Sequence, residues 1–215
     1  MYLPKHFEQA DPGILHDAID AFPLGALVTV GPEGPDANHV PFELDRAQGP
    51  YGVLRCHVAR ANPVWRAAQR GGGRALVIFR GVSGYVSPNW YPSKRTTHQV
   101  VPTYNYAIVH AHGRIVVHDD PKWVRGLVAR LTRRHEATQP APWKMTDAPA
   151  DFIDAQLGQI VGVEIAIERL EGKWKMSQNR SAEDRAGVIA GLREQGAPAS
   201  LALADEVERS QSPAG

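Results

Sequence analysis

The chain has 215 residues, 43% of them hydrophobic, with 24 basic side chains against 23 acidic ones and a formal net charge of +1. That balance, with both signs interspersed, excludes a role driven by bulk charge toward nucleic acid, a membrane surface or acidic substrates. One cysteine, Cys56, excludes an intrachain disulfide and suits a reducing compartment. No segment approaches 18 consecutive apolar residues, and the start MYLPKHFEQADPG lacks a secretion-signal pattern, so a cytoplasmic chain without membrane contact is expected.

In chain order, Asp11 and Pro12 mark a helix start, Ile14, Leu15, Ala18, Ile19 and Phe22 recur at helical spacing, and Pro23 stops the helix. Three strand-like runs follow: LGALVTV from Leu24, HVPFELD from His39 and YGVLRCHV from Tyr51. Turn chemistry at 31–35 and 46–50 predicts that they form an antiparallel meander. A short helix is expected around Pro63 to Gln69, closed by the run Gly71–Gly73, then strands from Arg74 and from Ser83. A long strand starts at Tyr104. Asp119 or Asp120 with Pro121 begins an amphipathic helix to about His135, with an apolar stripe of Trp123, Val124, Leu127, Val128 and Leu131. A Pro-rich irregular stretch, the short helix DFIDAQLGQI and one bent strand or two segments in VGVEIAIERLEGKWKM come next. Ser181 with Asp184 reads as a capping box for a helix to about Gln195, ended by Gly196 and Pro198, and the tail after Arg209 is expected to fray. Many short strands with hairpin turns, and no βαβ alternation, predict an antiparallel barrel with peripheral helices.

Chemistry concentrates in YVSPNWYPSKRTTHQVVPTYNY, residues 85–106. Pro88, Pro92 and Pro102 impose a shaped loop between strands, while Trp90, Tyr91, Tyr104 and Tyr106 offer flat faces beside hydroxyls, amides and Lys94. This composition suits a wall for a planar, phosphorylated ligand, or a crossover that covers a sheet edge. His57, Arg60 and Asn62 cluster where a strand meets a helix, a phosphate cradle or simply a helix cap at Asn62. In EGKWKMSQNR, strand alternation puts Lys173, Lys175 and Ser177 on one cationic face and Trp174, Met176 and Gln178 on a core-like one. His110 and His112 share a strand face without a third ligand at a diagnostic spacing, so no metal site is expected. Lys122, Arg125, Arg130, Arg133 and Arg134 give one helix a basic face, either solvated or set against DNA phosphates. Cys56 and His57 point to opposite strand faces, and no nucleophile motif or carboxylate pair suggests hydrolysis, so no catalytic residue is assigned.

Five motifs, MYLPKHF at 1–7, HVARANPVW at 57–65, YVSPNWYPSK at 85–94, VVPTYNYAIVHAHG at 100–113 and GVEIAIERLEGKWKMSQNR at 162–180, resemble the PaiB family of FMN-binding negative transcriptional regulators. Tyr104 stands where that pattern has Trp, and Asn89 where it has Ser. The resemblance implies a mainly β fold with peripheral helices, an antiparallel split β-barrel of the FMN-binding type over residues 1–180, followed by a C-terminal helix and tail over 181–215. It also implies a homodimer with FMN at each subunit interface. By position it assigns phosphate contacts to His57, Arg60, Asn62, Lys175, Ser177 and Gln178, and places Trp90, Lys94 and Asn105 near the ring. The rival readings are a flavin-dependent oxidoreductase and a haem-binding barrel using His110 or His112.

Overall fold

The computed structural model describes residues 1–31, 33–71 and 73–210. Among these, eight strands and seven α-helices follow one another: β1 (Glu8–Gln9), α1 (Pro12–Ala21), β2 (Leu24–Gly31), β3 (Gly34–Pro41), β4 (Glu43–Asp45), β5 (Val53–Ala59), α2 (Val64–Gly71) and β6 (Arg74–Val86). After them come α3 (Lys94–Thr97), β7 (Thr103–His118), α4 (Pro121–Glu136), α5 (Ala150–Leu157), β8 (Ile160–Lys175), α6 (Ala182–Gln195) and α7 (Pro198–Arg209). The strands form one sheet in the order β3-β2-β6-β7-β8-β5-β4, with β1 on β8. The chain divides into two compact units: Met1–Ala21, Arg80–His110 and Glu171–Gly215 form the first, and Phe22–Phe79 and Ala111–Leu170 the second. Because β6, β7 and β8 are long, each contributes residues to both.

In the second unit β2 and β3 make a tight hairpin in which Gly31 pairs with Gly34. Gly34 has a φ of 110°, which only glycine adopts without strain. Pro32 of this turn lies outside the described residues, as does Gly72 of the expected helix stop. Both antiparallel pairings of the expected meander form, the run from Leu24 with the end of β3 and β4 with β5, but the middle run is not one strand. Phe42, 1% exposed, breaks HVPFELD into the end of β3 and the short β4, and β5 pairs on its other side with β8. Apolar alternation on β5, with Leu54, Cys56 and Val58 buried, fits a strand between two neighbours. Asp120 caps α4 by accepting from the amides of Lys122 and Trp123, at 3.2 and 3.1 Å. The predicted stripe then buries Val124, Leu127 and Leu131, and Ile153 and Leu157 of α5 pack beside Val124. Gly162 is small because Trp123 lies where its Cβ would be, 2.2 Å away.

In the first unit β1 pairs Glu8 with Lys173 and Gln9 with Gly172. Leu15 of α1 crowds Gly172, where a Cβ would lie 2.2 Å from it. After β8, Ser181 caps α6 by accepting from Asp184 N–H at 3.2 Å. Pro198 does not close this region but opens α7, occupying the first helical position where a missing N–H costs nothing. Leu203, Ala204 and Val207 are buried by α7, and its Glu206 accepts from Trp174 Nε1 at 2.8 Å. Of the tail expected to fray, residues 211–215 lie outside the described residues.

Candidate functional site

In the first unit β7 alternates strictly. Asn105, Ala107 and Val109 are buried, while Tyr104, Tyr106, Ile108 and His110 present the opposite face. Those four side chains line an open hollow of about 500 Å³ together with Met1, Tyr2, Arg80, Ser83 and Lys173. Its size falls within the range of small-ligand pockets, and tyrosine faces supply apolar surface that a flat ring can cover.

Lys173 gives this hollow its electrostatic character. It is 9% exposed, its ammonium donates to the Tyr2 carbonyl at 3.0 Å, and it lies 5.5 and 5.6 Å from the ring centres of Tyr2 and Tyr106. A carbonyl dipole and two ring faces stabilise a cation without cancelling its charge. Lys175 donates to the Tyr104 carbonyl at 2.7 Å and to Thr103 Oγ1. Burial pushes its ammonium below the ordinary lysine range, and the nearby charges of Arg180 and Lys173 push it further. Arg180 itself lies 4.8 Å from the ring centre of Tyr91, and Arg80 donates to Ser83 Oγ at 2.8 Å. Cations that raise one another's energy in this way mark a place where an anion would be stabilising.

The other residues expected to hold a cofactor in this unit have partners within the chain. Alternation along β8 stops where the strand ends, at Lys175. Ser177 takes a left-handed φ of 64°, and its hydroxyl is buried, accepting from Asn105 Nδ2 at 2.9 Å. Ser177 therefore pairs with the core face of β7 and not with the face of Lys173. Asn105 keeps one buried oxygen, Oδ1, without a partner. Gln178 braces the strand end, accepting from Met176 N–H at 2.7 Å and donating to the Trp174 carbonyl at 2.6 Å. Lys94 donates to Asn89 Oδ1 at 2.5 Å, and Trp90 packs on Gly187 and Gly191 of α6.

His57, Arg60 and Asn62 belong to the second unit. Asn62 is the cap of α2: its Oδ1 accepts from Val64 N–H at 3.0 Å and its amide donates to Asn38 at 2.6 Å. Arg60 closes its fork on Asp119 at 2.6 and 2.9 Å and donates to the carbonyls of Gly158 and Ile160. That bond holds the Asp119 carboxyl below the usual range. His57 has its imidazole pushed down by burial, with Nδ1 buried and unpartnered. On α4, Arg130 grips Glu43 with two bonds, at 2.7 and 2.8 Å, and Arg125 pairs with Asp154.

The profile of the family described as "Putative FMN-binding domain" matches residues 1–169. The chain belongs to that family. An uncharacterized protein of Emericella nidulans is 34% identical, covering 96% of both chains. The "Protease synthase and sporulation protein PAI 2" of Bacillus subtilis is 27% identical over 97% of both, in keeping with the PaiB resemblance of the five motifs. Among solved structures, the FAD and heme binding protein of Mycobacterium smegmatis superposes with a TM-score of 0.59 at 19% identity, covering 83% of this chain and 78% of that one. A flavocytochrome of Azotobacter vinelandii gives 0.60 at 13%, covering 84% and 75%. The fold is the antiparallel split β-barrel expected from the sequence, and FMN is the candidate cofactor of the family.

The hollow combines ring faces with the buried ammonium of Lys173, while Ser177 meets Asn105, Asn62 meets Asn38 and Gln178 meets the backbone. Sequence reasoning named Tyr104, Tyr106 and Lys173 without placing them together. The spacing Tyr104, Tyr106, Ile108, His110 was the signal, because residues two apart on a strand share a face. Arg80 and Ser83 had no such signal.

Proposed function

We propose that this protein binds FMN in the tyrosine-walled hollow of its first unit and acts, as a cytoplasmic homodimer, in negative transcriptional control. The observation that carries the reading is Lys173, a buried ammonium on the wall of the hollow with tyrosine rings on two sides. Tyr104 and Tyr106 would hold the flat ring, and Lys173, Lys175 and Arg80 the phosphate, by charge-assisted hydrogen bonds. Asn105 and Ser177 would act from behind the wall by fixing the register of β7 against the end of β8. His57, Arg60 and Asn62 remain a proposed anion cradle of the second unit, available once Arg60 exchanges Asp119 for another anion. Bound FMN would supply one- and two-electron redox chemistry, while the chain binds, orients and shields it.

The regulatory part is supported by the PaiB resemblance of the five motifs and by the Bacillus relative, whose name links it to sporulation. Any direct DNA contact would fall to the basic face of α4, Lys122, Arg125, Arg130, Arg133 and Arg134, of which Arg125 and Arg130 would have to exchange Asp154 and Glu43 for phosphates. Absorbance and native mass of the purified protein, followed by FMN titration, test the proposal. A dimer that takes up FMN with bands at about 370 and 450 nm supports it, and a protein indifferent to FMN overturns it.

A second reading is haem in the same hollow, favoured by His110 on its wall beside two cations suited to propionates. The two solved relatives that share the fold are described as heme-binding and as a flavocytochrome. A Soret band on adding haem that disappears in His110→Ala would support it. A band that survives the substitution removes His110 as ligand.

A further inference from the structure

The connection 87–102, whose first part is the loop 87–97, joins β6, which carries Arg80 and Ser83, to β7, which carries Tyr104 and Tyr106. This loop is therefore continuous in the chain with both strands that wall the hollow. Its prolines limit its conformations, but proline alone does not anchor a loop to its surroundings.

Three positions of α6 at helical spacing meet it. Asp184, Gly187 and Gly191, at i, i+3 and i+7, lie on one helical face. Asp184 is 5% exposed, and its carboxylate accepts from Ser93 N–H at 3.0 Å and from Ser93 Oγ at 2.7 Å. Ser181 accepts from the Asp184 amide, so half of the expected capping box is present. The carboxylate, which would complete the box by turning back to the Ser181 amide, goes to the loop. Its negative charge in the first turn also suits the helix dipole. Gly187 and Gly191 form a seat for Trp90: a Cβ at 187 would lie 2.0 Å from the Trp90 carbonyl oxygen, and one at 191 would lie 2.4 Å from its ring. Arg180, just before the helix, lies over Tyr91, which is 1% exposed. The far side of α6 is held by α7, where Glu208 accepts from Arg193 at 2.7 Å and Asp205 at 3.4 Å.

We infer that α6 is a latch on the loop 87–97 and that Asp184 is its positioning residue, so that binding in the hollow and closure of the latch are coupled. The latch lies beyond residue 169, where the matched family profile ends. The coupling rests on the hollow being the FMN site; the latch itself does not. By linkage, a loop that must be held for the ligand to bind is itself held more firmly when the ligand is bound.

Hydrogen exchange of the full chain, with and without FMN, tests both parts. In Asp184→Ala, amides 89–98 should exchange at least tenfold faster while those of β5 keep their rates, and Ser93→Ala should give a smaller rise in the same segment. Trypsin cleavage after Lys94 or Arg95 should accelerate in the same order. Unchanged exchange in the loop, or an equal rise in β5, overturns the latch, the latter because it makes Asp184 a residue of general stability. For the coupling, Asp184→Ala should weaken FMN at least fivefold, and FMN should slow loop exchange in the wild type. A loosened loop with unchanged FMN affinity overturns the coupling. Failure of the wild type to bind FMN at all overturns the functional reading and with it the coupling, and leaves the latch to be decided by exchange alone.

Discussion

Four arginines of the second unit and the lysines beside the hollow of the first are held in different ways, although elsewhere in the first unit Arg193 and Arg209 also meet carboxylates. In the second unit Arg55 binds Glu164, Asp45 and Gln48 at 2.8, 3.1 and 3.0 Å, Arg60 binds Asp119, Arg125 binds Asp154 and Arg130 binds Glu43. Each arginine is matched by a carboxylate, and the pairs tie strands and helices together. Around the hollow of the first unit, Lys173 and Lys175 rest on carbonyls, a hydroxyl and ring faces, and Arg180 lies against Tyr91. A cation already closed on a carboxylate must break that pair to bind another anion, so the first arrangement favours stability and the second favours a ligand.

Four substitutions would break or sharpen this contrast. Arg55→Met should have the largest effect, because it leaves two carboxylates facing each other beside a side chain only 12% exposed. We expect a loss of about 2–3 kcal/mol in urea unfolding, with FMN affinity unchanged. Lys173→Met should behave in the reverse sense: FMN affinity falls by about 10- to 100-fold, the range of one charge-assisted bond, while stability holds or rises because a buried charge is gone. Flavin fluorescence and thermal unfolding measured on the same sample would show whether the two effects separate. Tyr106→Ala should weaken FMN by about fivefold, the worth of one aromatic contact, with a modest loss of stability.

The smallest effect is a pH dependence. Lys175 loses its proton in the folded chain below the ordinary value of 10.5, so between its folded pKa and 10.5 the unfolded chain holds more protons. Stability therefore rises with pH across that window, while FMN affinity falls as the ammonium is lost. Lys175→Arg should remove the fall in affinity, and an identical pH profile in that variant would take Lys175 out of the phosphate site.

Much of the fold was legible because local signals and tertiary packing agree. Asp11 and Pro12 open α1, Asp120 and Pro121 open α4, and the stripe Val124, Leu127, Leu131 is the buried one. The sequence missed α7, since Pro198 after Gly196 reads equally as a stop and as the first residue of a new helix. It also read HVPFELD as one strand of a meander, because turn chemistry at 31–35 and 46–50 shows where the chain reverses and not that Phe42 divides the run between the two ends of the strand order. Within the candidate site, Tyr104, Tyr106 and Lys173 were visible as residue types. For Ser177 alternation was carried two residues past the end of β8, where the backbone has turned to a left-handed φ and strand period no longer applies.

The sequence alone therefore determined the class of fold, the helix starts and the residue types of the ligand wall, since all of these follow from propensity, capping and period. Which cations meet a carboxylate was decided by tertiary structure. Arg60 and Asp119 are 59 residues apart, as the bond between them records, and Lys175 meets Thr103 across 72. No local pattern tells an arginine that will find a carboxylate from a lysine that will find a ring, because the partner arrives through strand pairing and not through neighbourhood in the chain.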